Sequence, residues 1–262
     1  MLFDYQNKIV LITGASSGIG RASAFEYGKN GAKIALTGRN KDELASLNKD
    51  LKKLNINSQF FVFDLLKLEG INRLIEEIEE YFEDTIDVLI NSAGKATLGL
   101  VDNIPLNELI ENMELNFFAP FELSRLLIPK MKKKQQGQII NITSGVGKRG
   151  LPGASSYSAS KFALNGFSDS LRVELMNHNI DLILFSPGLV ESNFADRIKV
   201  FGKLKNTFTE GNAMDPKIVA SKLLAASKKR KRDVTLSLKT RLGIHLNYIA
   251  PRFMDKYLST KL

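Results

Sequence analysis

The sequence predicts a doubly wound α/β domain, a parallel sheet of about seven strands with helices on both faces. Two features of the chain carry this expectation. From Lys8 to about Phe185, short apolar, β-branched runs alternate with longer helix-period stretches. Continuously apolar runs suit strands buried on both faces, and alternation at these gaps suits crossover helices between parallel strands. No internal repeat, Pro/Gly/Ser linker or low-complexity segment interrupts that order. One domain is therefore expected over residues 1–262, with a core at about 5–237 and a C-terminal extension at about 239–262. A chain of 262 residues is long enough to bury a substantial core.

In chain order, the first strand is Ile9-Val10-Leu11-Ile12, ending at Thr13-Gly14, and a helix follows through Ala22, Ala24, Phe25 and Tyr27. Ile34-Ala35-Leu36-Thr37 is the second strand, and Leu44, Leu47, Leu51 and Leu54 then mark one helical face. Phe60-Phe61-Val62-Phe63 is read as a third buried strand, followed by a helix through Leu74, Ile75, Ile78, Tyr81 and Phe82. The remaining strands are Val88-Leu89-Ile90, Ile139-Ile140-Asn141-Ile142 and Leu182-Ile183-Leu184-Phe185, with a further run at Val234-Thr235-Leu236. Helices are expected over Leu106–Met131 and Tyr157–Leu175. The charge runs Lys132–Lys134 and Lys228–Arg232 read as solvated helix ends, where cations suit the helix dipole.

Composition removes several kinds of chemistry. The absence of cysteine excludes disulfides, iron–sulfur clusters, thiolate zinc sites and thiol nucleophiles. The two histidines, His178 and His245, lie far apart and outside any metal-ligand spacing, so no metal site is expected. A net charge of 37 − 28 = +9 attracts anionic partners without choosing among them. The start shows no signal-like segment, and no apolar run approaches the ~20 residues that span a bilayer. A cytoplasmic location is the expectation.

Thr13-Gly14-Ala15-Ser16-Ser17-Gly18-Ile19-Gly20 follows the first strand directly and opens a helix. Glycines there permit unusual dihedrals, let a pyrophosphate approach the backbone and let helix and strand pack closely. The helix N-terminus offers free N–H groups to phosphate. An acid that would bind a ribose 2′-OH belongs about 20 positions on. This chain instead has Thr37-Gly38-Arg39-Asn40-Lys41, with no carboxylate until Asp42. A glycine leaves room there, and the Arg39 fork suits a 2′-phosphate, so NADP is favoured over NAD.

With these residues in place, the chain resembles a classical short-chain dehydrogenase/reductase over about residues 5–237. Gly14, Ser16, Ser17, Gly18, Ile19 and Gly20 match that family's glycine segment. Asp64-Leu65 matches its Asp-hydrophobic pair, whose acid approaches the adenine. Asn91-Ser92-Ala93-Gly94 matches its Asn-Asn-Ala-Gly motif, departing at Ser92, which implies a locally adjusted turn. Asn116, Ser144 and the block Tyr157-Ser158-Ala159-Ser160-Lys161 match its catalytic residues, with the usual interval of 13 between Ser144 and Tyr157. Pro187, Gly188, Val190 and Ser192 match the segment that contacts the nicotinamide.

The chemistry fits the residue types. Tyr157 and Lys161 share a helical face, and an ammonium beside a phenol is expected to lower the phenol pKa. The phenol then donates a proton to a carbonyl, or accepts one from an alcohol. Ser144 is placed to hydrogen-bond the same substrate oxygen, while the resemblance gives Asn116 a water relay toward Lys161. The resemblance implies a Rossmann fold and an NADP(H)-dependent oxidoreductase that moves a hydride between nicotinamide and a carbonyl or alcohol, in the reductive direction. The alternative is an NADP(H)-binding redox sensor without turnover, against which the intact four residues argue. No motif supports nucleic-acid binding.

Substrate choice falls to Leu189–Asp215, where Phe194, Val200, Phe201, Leu204 and Phe208 mix with Arg197, Lys199, Lys203 and Lys205. This composition suits either a lid over an apolar substrate or a mobile loop. In the tail, Leu242, Leu246, Ile249, Phe253 and Tyr257 form a stripe interrupted by Pro251. It either packs on the body or a neighbouring subunit, or lies on an anionic membrane, since Lys239, Arg241, Arg252, Lys256 and Lys261 line it. The helices containing Leu106–Met131 and Tyr157–Leu175 resemble those that pair across the family's usual dimer interface, and both carry surplus apolar residues (Leu109, Met113, Phe117, Phe118, Phe121; Phe162, Phe167, Leu171), so a homodimer or homotetramer is expected.

Overall fold

A computed structural model describes residues 2–204 and 213–260. Lys205, Phe208 and Lys261 lie outside the described residues. Seven parallel strands form the main sheet: β1 Ile9–Thr13, β2 Lys33–Gly38, β3 Ser58–Val62, β4 Val88–Asn91, β6 Gly137–Ile142, β7 Ile180–Ser186 and β9 Asp233–Thr235. Their order is β3-β2-β1-β4-β6-β7-β9, so the chain reverses its winding direction between β1 and β4. That crevice is where doubly wound sheets bind ligands.

Strand alternation divides the core into two layers. Val10, Ile12, Ile34, Leu36, Val88 and Ile90 pack with α1 (Gly18–Lys29), α2 (Lys41–Lys53) and α7 (Pro216–Lys228) on one face. Ile9, Leu11, Ala35, Leu89 and Ile139 pack with α3 (Ile71–Phe82), α5 (Ala119–Lys134) and α6 (Ser155–Leu175) on the other. The first layer is closed from its margin. Phe3 N donates to Lys228 O at 2.9 Å, the Tyr5 hydroxyl donates to Gln138 Oε1 at 2.6 Å, and the Tyr5 and Tyr27 hydroxyls both bond Ser227 Oγ.

The structure corrects the expected third strand. It runs over Ser58–Val62 at the sheet edge, where Phe60 and Phe61 are half-buried and Val62 is exposed. An edge strand lacks a neighbour to cover its outer side, so an apolar run there need not be buried. The helix expected over Leu106–Met131 is interrupted. α4 (Leu106–Met113) passes into a π-helical turn at Glu114–Phe118 before α5. Leu171, counted among the surplus apolar residues, is buried in the core. An unpredicted second sheet pairs β5 (Thr97–Gly99) with β8 (Lys199–Phe201), residues about a hundred positions apart.

The basic runs lie at helix ends, as expected. Lys134 meets Asp84 at 2.9 Å and Asp87 at 3.2 Å, and Arg232 meets Asp169 at 3.3 Å. The tail forms α8 (Leu238–Ile249) and α9 (Pro251–Ser259), broken at Ala250 before Pro251. Its predicted stripe faces solvent. Leu242, Leu246, Ile249, Phe253 and Tyr257 are all exposed, whereas Met254 is buried and Ile244 and Leu258 half-buried.

Candidate active site

The glycine turn is built by close approach. Gly14 and Gly18 sit at φ +63° and +53°, the left-handed region that L side chains rarely adopt. A Cβ on Gly20 would fall 2.5 Å from the Gly14 carbonyl oxygen, and one on Gly14 would fall 2.8 Å from the Ala93 Cα. The turn is thus pressed against the Asn91–Gly94 segment. Thr13 joins them, its hydroxyl accepting from the Ser92 and Ala93 N–H groups, both at 3.0 Å. At Ser92 it is the backbone N–H that makes this contact, which does not depend on the side chain that departs from the family motif.

A cavity of about 290 Å³ lies at the winding reversal, lined by Gly14, Ser16, Gly38, Arg39, Asn40, Phe63, Asp64, Leu65, Ala93, Gly94, Leu115 and Arg197. Gly14, Ser16, Arg39, Asp64, Leu65, Ala93 and Gly94 were expected there from the sequence. Asn40, Phe63 and Leu115 adjoin the expected Arg39, Asp64 and Asn116, and only Arg197 comes in from a segment distant in sequence. The residues fit an anionic dinucleotide. Ser17 makes no side-chain cap, and the first turn of α1 carries no acid, so its N–H groups remain free for phosphate. Arg39 and Arg197 form no ion pair among the described residues.

The other expected residues lie outside the cavity wall. Ser17, Ile19 and Gly20 form the turn and first turn of α1 beside it. Asn91 turns into the sheet, donating from Nδ2 to Asn141 Oδ1 at 2.8 Å. Ser192 meets Gly18, where a Cβ would come within 3.0 Å of the serine Cβ, and Val190 bridges to Met214. Gly188, at φ +86°, follows Pro187 at the end of β7, near Ser237.

Tyr157 and Lys161 stand one turn apart on α6, with the Lys161 Nζ 5.9 Å from the Tyr157 ring centroid. Lys161 donates to the Ile142 carbonyl at 3.0 Å, and the Phe194 ring lies 6.3 Å from that of Tyr157. Ser144 follows β6, its hydroxyl accepting from Val146 N. Asn116 occupies the π-turn. Its Oδ1 accepts from Lys95 N, and its Nδ2 donates to Lys95 O and Ser160 Oγ, all at 2.9–3.0 Å. Asn116 does not touch Lys161; Gly94 stands between them, its Cβ direction 3.1 Å from Asn116 Oδ1 and 3.9 Å from Lys161 Nζ.

Electrostatics corrects one expectation. Burial pushes the Tyr157 phenol up to about 12, with a hydrogen bond from Ser144 working in the opposite direction. Burial brings the Lys161 ammonium down to about 8. Proximity alone predicted a lowered phenol, but desolvation of the phenolate dominates.

A second buried charge cluster was not legible in the sequence. The Glu108 carboxylate accepts from Lys95 and Thr97 at 3.0 Å each, and from Lys199 of β8. Burial favours its neutral acid, but the hydrogen bonds from Lys199, Lys95 and Thr97 outweigh burial and hold the carboxyl at about 2. Because Lys95 also carries the backbone groups that Asn116 grips, this cluster ties the β8 segment to the catalytic loop.

A glycine turn at the switch point of a parallel sheet, close to a half-buried tyrosine paired with a buried lysine, marks an oxidoreductase of the doubly wound α/β class. Residues 8–200 match the family described as short chain dehydrogenase. The chain is similar to the dehydrogenase/reductase SDR family member 7B of Bos taurus, with 34% identity over 98% of this chain and 82% of the relative. Its fold is similar to a short-chain dehydrogenase/reductase from Burkholderia phymatum in complex with NAD (TM-score 0.86, 20% identity, 96% of each chain). It also resembles a metagenomic short-chain oxidoreductase in complex with NADP (TM-score 0.74, 25% identity, 89% of this chain and 97% of that one). The chain belongs to the short-chain dehydrogenase/reductase family.

Proposed function

We propose that the protein reduces a small carbonyl compound with NADPH. The observation that carries this reading is the Tyr157 phenol, half-buried and held at about 12 beside Lys161, whose Nζ lies next to Gly94 of the cavity that Arg39 lines. At neutral pH that phenol is protonated, the state required to donate to a carbonyl oxygen. NADPH supplies the hydride when bound. Ser144 orients the substrate oxygen, Tyr157 delivers the proton to it, and the Lys161 ammonium balances the negative charge left on the phenol oxygen. Asn116 holds the Lys95 loop and so sets the position of Gly94 against Lys161.

Solved structures of the fold occur with NAD and with NADP, so the choice of NADP rests on this chain's own residues. Gly38 and Arg39, which forms no ion pair among the described residues, stand where an acid would select NAD. Phe194 near Tyr157 supports an apolar substrate. The exposed Phe118 and Phe121, next to Phe117 and Phe167, and the exposed Phe162 support a homodimer or homotetramer; a monomer in light scattering rejects it. A cytoplasmic location fits a chain in which, among the described residues, no helix is long and apolar enough to cross a membrane.

The test is a panel of aldehydes and ketones followed by NADPH consumption. Tyr157→Phe is expected to bind NADPH normally and lose at least the ~10²–10⁴ of rate that general acid catalysis contributes. Arg39→Ala is expected to weaken NADPH binding about tenfold or more and leave NADH binding unchanged. Near-normal turnover in Tyr157→Phe rejects the mechanism. Failure of a folded, NADPH-binding wild type to turn over any carbonyl or alcohol favours the sensor.

A further inference from the structure

The two tail helices bear apolar residues on opposite sides. Their inner side, through Thr240, Ile244, Met254 and Leu258, packs toward the body, with the Thr240 methyl lying where a Cβ on Gly145 would go. Their outer side carries Leu238 and Leu242 at 70% exposure, Ile249 at 84% and Phe253 at 59%. At 3.6 residues per turn, Leu238, Leu242, Leu246 and Ile249 fall within one narrow sector of α8, and Lys239 and Arg241 flank it on opposite sides. Arg252 and Lys256 stand on α9 beside Phe253. Asp255, the only acid among the described residues of these helices, is paired with Arg149 of the body at 2.5 Å. The outward face is therefore apolar in the middle and purely cationic at its margins.

We propose that this face docks the protein on an anionic lipid bilayer, α8 and α9 lying in the interface plane. An interfacial helix needs an apolar face sunk among acyl chains and cations at headgroup level, and the tail supplies both. Charge argues against a second copy as the occupant, because a like tail brings cations of the same sign into the contact, and among the described residues none of them has an acidic partner. A nucleic acid would neutralise the cations but leave Leu238, Leu242 and Ile249 uncovered, since aliphatic side chains offer bases no stacking platform. The proposal is independent of the catalytic reading.

Flotation of the full-length protein with phosphatidylcholine vesicles, with and without about 30% phosphatidylserine, tests it. Binding is expected only to the anionic vesicles and falls with added salt, each surface-facing Lys or Arg being worth about fivefold. Leu242→Ser/Ile249→Ser/Phe253→Ser and Lys239→Gln/Arg241→Gln/Arg252→Gln/Lys256→Gln are each expected to reduce binding at least tenfold. All seven positions are exposed, so both variants are expected to keep the wild-type circular dichroism and melting temperature. Absence of binding, equal binding to neutral vesicles, or full binding by either variant overturns the proposal. So does a wild-type oligomer that the apolar variant dissociates, which assigns the face to a second copy.

Discussion

Replacing Lys161 by methionine should remove activity and yet stabilise the cofactor-free protein. The ammonium is buried, its one hydrogen bond runs to the Ile142 carbonyl, and burial lowers its pKa from 10.5 to about 8. A lysine whose folded pKa is depressed is easier to protonate in the unfolded chain. Below about pH 8 the folded state therefore carries a cost, which fades as pH rises from 8 to 10.5 and the unfolded lysine also loses its proton. The depression from 10.5 to about 8 sets that cost at about 3 kcal/mol. Methionine matches the stem but leaves the Ile142 carbonyl without this donor, which returns about 1–2 kcal/mol. A net gain of roughly 1–2 kcal/mol is expected near pH 7. Urea unfolding of both proteins at about pH 7 and about pH 10 measures it as a shift in midpoint. The gain should shrink at the higher pH. An equally or less stable methionine variant near pH 7, or a difference that ignores pH, refutes the reasoning.

Glu108→Gln should destabilise the fold by about 3 kcal/mol near pH 7, from a carboxyl held at about 2 against an ordinary 4.5. Its folded pKa is depressed, so the contribution is full above about pH 4.5 and is lost as pH falls toward 2; urea midpoints at about pH 7 and pH 3 report the change. Gly20→Ala should abolish dinucleotide binding in a titration, because its Cβ would meet the Gly14 carbonyl at 2.5 Å. Arg197→Ala should weaken NADPH and NADH alike by about tenfold in the same titration, whereas Arg39→Ala discriminates between them; an unchanged NADH affinity would place Arg197 elsewhere.

What the sequence disclosed was local, and what it withheld was decided by pairing across the chain. The glycine turn and the Tyr157–Lys161 pair are readable because each rests on a few adjacent positions attached to one strand or one helical turn. The β5–β8 ladder joins Thr97 to Lys199, and no periodicity in either segment announces the other. Glu108 looks like an ordinary helical acid until that ladder brings Lys199 onto it. In the tail, the spacing of Leu242, Leu246, Ile249, Phe253 and Tyr257 identified a stripe but not its direction. The weaker inner set, Ile244, Met254 and Leu258, took the body contact. The phenol at Tyr157 shows the same limit, since spacing supplies the neighbouring ammonium and only the fold supplies the burial.

The closure of the first core layer bears on how the chain is made. Tyr27 in α1 reaches its partner Ser227 only after about 200 further residues have been synthesised. At ~5–20 residues per second that takes roughly 10–40 s. Throughout that interval Phe3, Tyr5 and Tyr27 lack the α7 residues that close the layer over them, while α1 and α2 already cover β1. A ribosome that pauses before α7 emerges therefore holds out a core layer that α1 and α2 cover but do not yet close.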